Sequence, residues 1–547
     1  MWFTIYDTDR ARARTERTWS RAPELRTLRV ARGRPDALAG LTLVDAAGPI
    51  ASDLVQDGAR LLVRLARPVV APLRNKYDVA ESASASVDAS TSSVVVADDR
   101  FRAFGEDVIL RPEAALGARA EIELRIDGQA IHAPSVASSF GAAASGASLR
   151  RVAHGRALVC SAFMAGSHGR ASFDDAGGEH DEAAWLGYTE FDPRPVAAEI
   201  ALIRSALGEM WKARGDDRFT LLLVASARPV GTFTIAPRAS SLVVHVGAGE
   251  GWGPALRIGT TQHLMNAWIG PALRLSPRDG GDAAAYEAET AWFHDGYARF
   301  LAAHALADLG LLSPDDARSF VSGLLSVQAT SPFRGKPSAE VANGALTDAR
   351  ARADLVARGA LHALRVSSLL RAKSKGARAL HDVLRGLLAR ERKEPTTLTI
   401  DGWSEILARE LGADEAKAFV GSVLGGAPVA IPADALGPCF RAQAGEYVGF
   451  DLGFDARATI ERRPATITGL DPKGPAVAAG LEPTDVLVDA SFAETRPDEP
   501  VKLIVMRGDP ASAKRIEIRY KAAGVRRKGP VWTRIPGVPN DACGRVL

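Results

Sequence analysis

The chain has 547 residues and a formal net charge of +3, from 68 lysines and arginines against 65 aspartates and glutamates. This near balance, without a basic stripe interleaved with aromatic residues, excludes the charge pattern of a nucleic-acid-binding protein, so no nucleic-acid partner is expected. No apolar run is long enough to span a bilayer, so no transmembrane segment is expected, and the length predicts several domains.

The first 193 residues predict a β-rich domain. Short stretches such as residues 61–65 and 122–126 alternate apolar and polar side chains, as strands with one buried face do. Aspartate, glycine and proline separate these stretches and are typical of the turns between strands.

Residues 194–440 predict a helical domain, because the apolar residues change to helical spacing. Ser313, followed by Pro314 and two aspartates, has the sequence of a helix start. A short β ribbon is expected near residues 241–246. The predicted helices are 196–212, 258–269, 284–309, 314–327, 349–371, 377–390, 403–411 and 414–424.

Residues 441–524 predict a small domain of short strands. The strands are expected at 465–470, 485–488, 501–506 and 515–520. Between them, residues 474–481 predict a short helix that ends at a glycine. The last segment, 525–547, is rich in glycine and proline and predicts a C-terminal tail.

Three cysteines are present, Cys160, Cys439 and Cys543. Their odd number and wide spacing predict at least one free thiol and no disulfide framework. The charged N-terminus lacks the apolar segment of a signal peptide. As written, the sequence therefore predicts a cytoplasmic protein, and a periplasmic or secreted one if a signal peptide has been removed.

Three motifs occur in a recognisable order. Residues 261–268 are Thr-Gln-His-Leu-Met-Asn-Ala-Trp, residues 292–297 are Trp-Phe-His-Asp-Gly-Tyr, and residues 474–481 are Gly-Pro-Ala-Val-Ala-Ala-Gly-Leu. They resemble the His-Glu-x-x-His-x-Trp helix, the Trp-x-x-Glu-Gly-Phe segment and the PDZ signature of the glycyl aminopeptidase family of gluzincin metallopeptidases. The resemblance implies a multidomain α+β fold with an N-terminal β-rich domain, a thermolysin-like helical domain and a C-terminal PDZ domain.

The same resemblance implies where the zinc chemistry of that family would lie. The ligand positions are Gln262, Asn266 and Asp295, the general-base position is His263 and the oxyanion-tyrosine position is Val356. Zinc takes imidazole in preference to an amide oxygen, and aspartate is one methylene shorter than the glutamate of the family. No catalytic residue and no cofactor are therefore expected. The three polar side chains at the ligand positions are expected to hydrogen-bond to one another instead.

The favoured function is a catalytically inactive metallopeptidase-like protein that binds a peptide or a protein partner. The binding site would be the former cleft or the PDZ domain. In the PDZ domain, Tyr447, Val448, Gly449 and Phe450 would form the loop that captures a peptide carboxylate. A PDZ fold that only packs against the helical domain is the alternative.

Two other functions stay open from the sequence. A metal site rebuilt from His263, His294 and Asp295 would give an active, zinc-dependent aminopeptidase or another hydrolase. Against it, His263 lies about 100° around the helix from the neighbouring Gln262. The third possibility is a structural or assembly component in which neither the cleft nor the PDZ domain binds a ligand.

Overall fold

The computed structural model forms two compact units. One comprises Met1–Ala201 and Asp216–Gly251, and the other comprises Leu202–Gly215 and Trp252–Leu547. The residues described are 2–7, 12–19, 27–30, 38–57, 60–80, 94–97, 100–112, 119–127, 129–174, 180–186, 191–213, 218–226, 233–247, 251–270, 272–275, 283–345, 348–393, 398–461, 464–492, 497, 499–509, 512–543 and 547.

The first unit is built from β-strands, as the sequence predicts. Its helices are α1 Gly105–Val108 and α2 Gly155–Val159, with a 3₁₀ turn at Gln129–Ile131, and α3 Pro193–Trp211 begins in this unit and continues into the second. Its described strands are β1 Trp2–Asp7, β2 Arg12–Trp19, β3 Thr27–Val30, β4 Leu38–Asp45, β5 Gly48–Pro49, β6 Ser52–Asp57, β7 Arg60–Leu65, β8 Leu73–Ala80, β9 Val95–Ala97, β10 Arg100–Phe104, β11 Arg111–Pro112, β12 Arg119–Asp127, β13 Ser135–Ser138, β14 Gly141–Ala144, β15 Ser148–His154, β16 Ala162–Gly166, β17 His168–Asp174, β18 His180–Leu186, β19 Arg218–Ser226, β20 Phe233–Arg238 and β21 Ser241–Gly247.

These strands form sheets with the orders β15-β12-β1-β2-β8-β4-β5, β14-β13-β16-β10-β9, β11-β3-β7-β6 and β17-β18-β19-β21-β20. The predicted alternation is found where it was expected. In β7 the side chains of Leu61 and Val63 are fully buried, whereas Arg64 is exposed. The buried faces of such strands contribute to the apolar core of this unit.

The region predicted to be helical from residue 194 contains strands as well. α3 matches the predicted helix 196–212, but β19 and β20 were not predicted, and β21 extends the expected ribbon into a sheet. β19 pairs in parallel with both β18 and β21. Its residues 219–224 are all buried, so this mainly apolar run lacks the alternation that marks a one-sided strand.

The second unit is mainly helical up to residue 439. Its helices are α4 Pro254–Met265, α5 Ala283–Glu289, α6 Ala298–Asp308, α7 Pro314–Thr330, α8 Ser338–Ala342, α9 Ala349–Ser374, α10 Leu380–Lys393, α11 Ile400–Leu411 and α12 Ala413–Phe419, with π-helical turns at Trp292–Tyr297 and Val420–Leu424. None of the helices in the described ranges combines the length and apolar character needed to cross a membrane.

The predicted start of α7 is confirmed in detail. The Ser313 hydroxyl accepts a hydrogen bond from the Asp316 N–H at 3.2 Å, and the Asp316 carboxylate accepts one from the Ser313 N–H at 3.2 Å. Pro314 occupies the first turn, where its missing N–H costs nothing.

The single helix predicted for 284–309 is divided in the structure. α5 ends at Glu289, the π-helical turn follows, and α6 begins at Ala298. At the turn, Gly296 lies against α9: a Cβ atom on this glycine would be 2.8 Å from the Cα of Gly359. A close backbone contact of this kind depends on distant residues, so helical periodicity alone does not predict it.

The C-terminal part of the second unit is made of short strands, as predicted. β23 Val486–Ser491, β24 Pro500–Arg507 and β25 Lys514–Lys521 form an antiparallel sheet, with α13 Ala456–Glu461 and α14 Pro475–Ala478 beside it in sequence. The strand predicted at 465–470 is reduced to one bridge between Thr466 and Val486. The apolar core of this C-terminal part consists of Leu452, Phe454, Ile467, Ala476, Leu481, Ala490, Val501, Leu503, Val505, Ile518 and Ala522.

In the segment predicted as a tail, 525–547, the described residues up to Cys543 make two contacts with distant parts of the chain. β26 Ala523–Arg534 pairs antiparallel with β22 Phe440–Phe450. Cys439 and Cys543 then form a disulfide across a separation of 104 residues, and Cys160 is free. The disulfide corrects the expectation drawn from the cysteine spacing, because β22 and β26 bring together two positions that are distant in sequence.

Candidate functional site

The end of helix α4 carries two of the predicted site residues. Gln262 lies in the last turn and is 8% exposed, and Asn266 caps the helix in an α-helical conformation. The Asn266 N–H donates to the Gln262 carbonyl at 3.2 Å. Because the two residues are four apart, their side chains leave the same face of the helix.

Trp268 fixes the chain just after this helix. Its ring stacks on Trp211 with centroids 6.2 Å apart, and its Nε1–H donates to the Ala213 carbonyl at 3.2 Å. The Trp211 Nε1–H in turn donates to the Met265 sulfur at 3.1 Å. The retained tryptophan therefore has a packing role that holds the end of α4 in place.

The π-helical turn carries the third position, Asp295, and is anchored by a buried polar network. The hydroxyl of Tyr297 lies 2.7 Å from His362 Nδ1 and accepts from Trp403 Nε1 at 3.2 Å. Burial raises the pKa of Tyr297 well above its ordinary value, so it stays a neutral hydroxyl. This network orients the turn but lies in the core.

Asp295 is paired with an arginine that the sequence analysis did not single out. Arg352, near the start of α9, donates to the Asp295 carboxylate at 2.6 Å. The Asp295 side chain is 19% exposed and that of Arg352 is 52% exposed. Burial raises the pKa of Asp295, and the charge and hydrogen bond of Arg352 oppose that rise.

The expected mutual hydrogen bonding of Gln262, Asn266 and Asp295 is not found. Asp295 turns to Arg352 instead, and the Asn266 Oδ1 atom is buried without a hydrogen-bond partner among the described residues. The expectation was wrong because a nearby guanidinium outcompetes a neutral amide for a carboxylate.

His263 and His294 are both neutral histidines at the edge of the site. Burial lowers the pKa of each to about 4, and neighbouring arginines add to the effect. His294 Nε2 accepts from the Leu275 N–H at 3.3 Å. Within the described ranges no three His, Cys, Asp or Glu side chains come together as metal ligands, so the alternative set of His263, His294 and Asp295 is not assembled.

Arg299 is a second guanidinium at the site that the sequence analysis missed. It lies on α6, four residues after Asp295, and its buried Nε has no partner among the residues the structure describes. Burial lowers the pKa of Arg299, and the charge of Asp295 opposes the shift. The signal that could have found both arginines is their spacing: Arg299 is one turn after Asp295, and Arg352 is one turn before Val356.

Val356 lies on α9 where that helix crosses the π-helical turn. Its carbonyl oxygen would be 2.8 Å from a Cβ atom on Gly296. The valine side chain has no polar atom, so it can neither donate to an oxyanion nor hold a proton.

The four residues proposed to bind a peptide carboxylate, Tyr447 to Phe450, lie at the end of β22. β26 covers one edge of this strand. On its other side the Val448 carbonyl accepts from Ser326 of α7 at 3.1 Å, and Gly449 lies against Thr330. The Tyr447 hydroxyl donates to the Pro530 carbonyl. These contacts place β22 between β26 and α7 and engage the Val448 carbonyl and the Tyr447 hydroxyl.

No protein-family model matches this chain, and no curated protein does. Among solved structures, an aminopeptidase N family protein from Idiomarina loihiensis matches with a TM-score of 0.69 and 15% identity, over 100% of this chain and 99% of its own. An M1 zinc metallopeptidase from Deinococcus radiodurans matches with a TM-score of 0.50 and 15% identity, over 79% and 94%. The chain therefore has the multidomain α+β fold of these solved structures.

Proposed function

We propose that this chain is a catalytically inactive metallopeptidase-like protein that binds a peptide or protein partner in the former active-site cleft. The observation that carries the proposal is the ion pair between Asp295 and Arg352. It uses the only carboxylate at the ligand positions, and it places a fixed positive charge where a metal cation would have to approach.

The other side chains at the ligand positions support the same conclusion. Gln262 and Asn266 offer amide oxygens, which zinc binds poorly in comparison with imidazole. His263, at the general-base position, is a neutral side chain held on the helix beside them. The residues present do not fit a zinc ion, so this chain would hold no metal to activate a water molecule for hydrolysis.

For residues 441–524 we propose a PDZ fold that packs against the helical domain. Gly474 and Pro475 begin α14, and Gly480 has a left-handed φ of +93°, as the end of such a helix requires. The contacts of Val448 and Gly449 with α7 favour packing over peptide capture at this place. The former cleft is therefore the preferred site for a partner.

Two measurements on the full-length protein test this function together. With a panel of aminoacyl fluorogenic substrates, we expect no turnover with or without added zinc. Peptides selected from a random library on the wild-type protein are expected to lose roughly tenfold or more in affinity in the Asn266→Leu variant, since a buried acceptor is removed.

The matched control is Asn343→Leu, because Asn343 is an exposed asparagine at the end of α8, a helix that carries none of the predicted site residues. This variant is expected to bind the selected peptides as the wild type does. Chelator-sensitive hydrolysis that disappears in a Gln262→Ala variant would establish an active metallopeptidase instead. An equal loss of affinity in the Asn266→Leu and Asn343→Leu variants would show that the peptides do not bind in the cleft.

A further inference from the structure

The charges at the former metal centre do not balance. Asp295 and His263 each experience the charges of both Arg299 and Arg352. Arg274, which also borders the site, has its own exposed partner in Glu287 at 3.8 Å. Among the residues that the structure describes with their partners, two guanidiniums thus share the Asp295 carboxylate, and one positive charge has no counterion of its own.

Of these two arginines, Arg299 is the one that lacks a direct partner among the described residues. Arg352 holds Asp295 directly, at 2.6 Å, whereas the buried Nε of Arg299 has no hydrogen-bond partner within the described ranges. A guanidinium that is largely removed from water costs several kcal/mol unless it is paired. An arrangement of this kind favours an anion supplied from outside the chain.

Asn266 is the second polar residue of this site that lacks a hydrogen-bond partner. Its buried Oδ1 is an acceptor without a donor in the part of the chain that the structure describes. The site therefore lacks one negative group, near the arginines, and one N–H donor, near the end of α4. A peptide supplies both in a single molecule, because its amide N–H groups lie close to a carboxylate at the C-terminus or on an acidic side chain.

We propose that the former metal centre is a carboxylate-binding site, in which Arg299 and Arg352 hold a carboxylate of the peptide ligand while Asn266 accepts one of its N–H groups. This inference rests on the proposed peptide binding and names the chemistry of the ligand. A carboxylate fits better than a phosphate, because it brings one negative charge to one unbalanced positive charge. A phosphate would bring nearly two charges and only acceptor oxygens close to Asn266 Oδ1.

The test uses fluorescently labelled pools of random hexapeptides and the full-length protein. One pool contains acidic residues and a free C-terminus, a second lacks acidic residues but keeps the free C-terminus, and a third lacks both carboxylate sources. The first pool is expected to bind and the third to bind about 10- to 100-fold more weakly, as the loss of charge-assisted hydrogen bonds implies. The second pool shows whether the carboxylate comes from the C-terminus or from a side chain.

Three variants make the outcome specific to this site. Arg352→Gln is expected to weaken binding of the first pool by about 10- to 100-fold, whereas Arg350→Gln, which changes an exposed arginine paired with Asp348 on the same helix, is expected to leave it unchanged. Asp295→Asn is expected to tighten binding, because it removes the carboxylate that competes for Arg352. A merely structural role of this ion pair does not predict that gain.

Equal binding of the first and third pools would overturn the carboxylate site but leave peptide binding intact. Unchanged affinity in Arg352→Gln would overturn it as well. Failure of all three pools to bind would overturn both this inference and the proposed peptide binding.

Discussion

Replacing Gly359 with alanine is expected to destabilise the protein by roughly 3 kcal/mol or more. A Cβ atom at this position would lie 1.8 Å from the carbonyl oxygen of Trp292, which belongs to the π-helical turn. The obstacle is backbone, and the Trp292 ring is fully buried against Phe293, Tyr297 and Phe419, so the turn cannot move aside easily. Equilibrium unfolding in urea measures the effect.

The matched control for this substitution is Gly323→Ala in helix α7. Nothing lies within 4 Å of a Cβ atom built there. Alanine at an open helical position stabilises by about 0.5–1 kcal/mol, because glycine loses more conformational entropy on folding. Opposite signs for the two variants are predicted. A Gly359→Ala protein as stable as the wild type would contradict the close crossing of α9 and the π-helical turn.

Removing one member of the buried ion pair in α9 is expected to have an effect of similar size. Arg358 lies 2.5 Å from Asp354, and their side chains are 1% and 0% exposed. Arg358 also donates to the carbonyls of Lys336 and Phe333, at 2.8 and 3.0 Å. Arg358→Met should cost roughly 3–5 kcal/mol, because it leaves the Asp354 carboxylate buried without its counterion.

The double variant Asp354→Leu with Arg358→Met separates charge from packing. We expect it to recover part of the loss, since no unpaired charge then remains in the core. Lys417→Ala, which breaks an exposed pair with Asp414, is expected to change the free energy of unfolding by less than about 0.5 kcal/mol. A loss of under ~1 kcal/mol for Arg358→Met would show that the pair is not buried as described.

Local sequence patterns predicted most of the helices because their signals lie within a few residues. Ser313 and Pro314 mark the start of α7, and apolar residues at helical spacing mark α9 and α11. β19 was missed because both of its faces are buried, so its sequence lacks the alternation of a one-sided strand. β26 and the Cys439–Cys543 disulfide were missed because each depends on a partner that is distant in sequence.

The candidate site was predicted only in part, because its contacts also depend on residues that are distant in sequence. The positions of Gln262, Asn266 and Asp295 follow from motifs, and α4, which carries the first two, packs on α6, the helix that follows Asp295. Their contacts were not predicted, because Arg352 reaches Asp295 across 57 residues of sequence. Without that arginine in view, hydrogen bonds among the three side chains were the simplest way to satisfy buried polar groups.

The central proposal is that the site formed by Gln262, Asn266 and Asp295 holds no zinc, and the most direct test is the metal content of the purified full-length protein. The protein is incubated with zinc, dialysed against zinc-free buffer and analysed by mass spectrometry for metal per chain. We predict far less than one zinc per chain, unchanged in a Gln262→Ala variant, because amide oxygens and an arginine-paired carboxylate hold zinc poorly. One zinc per chain that survives dialysis, and is lost in the Gln262→Ala variant, would contradict the account.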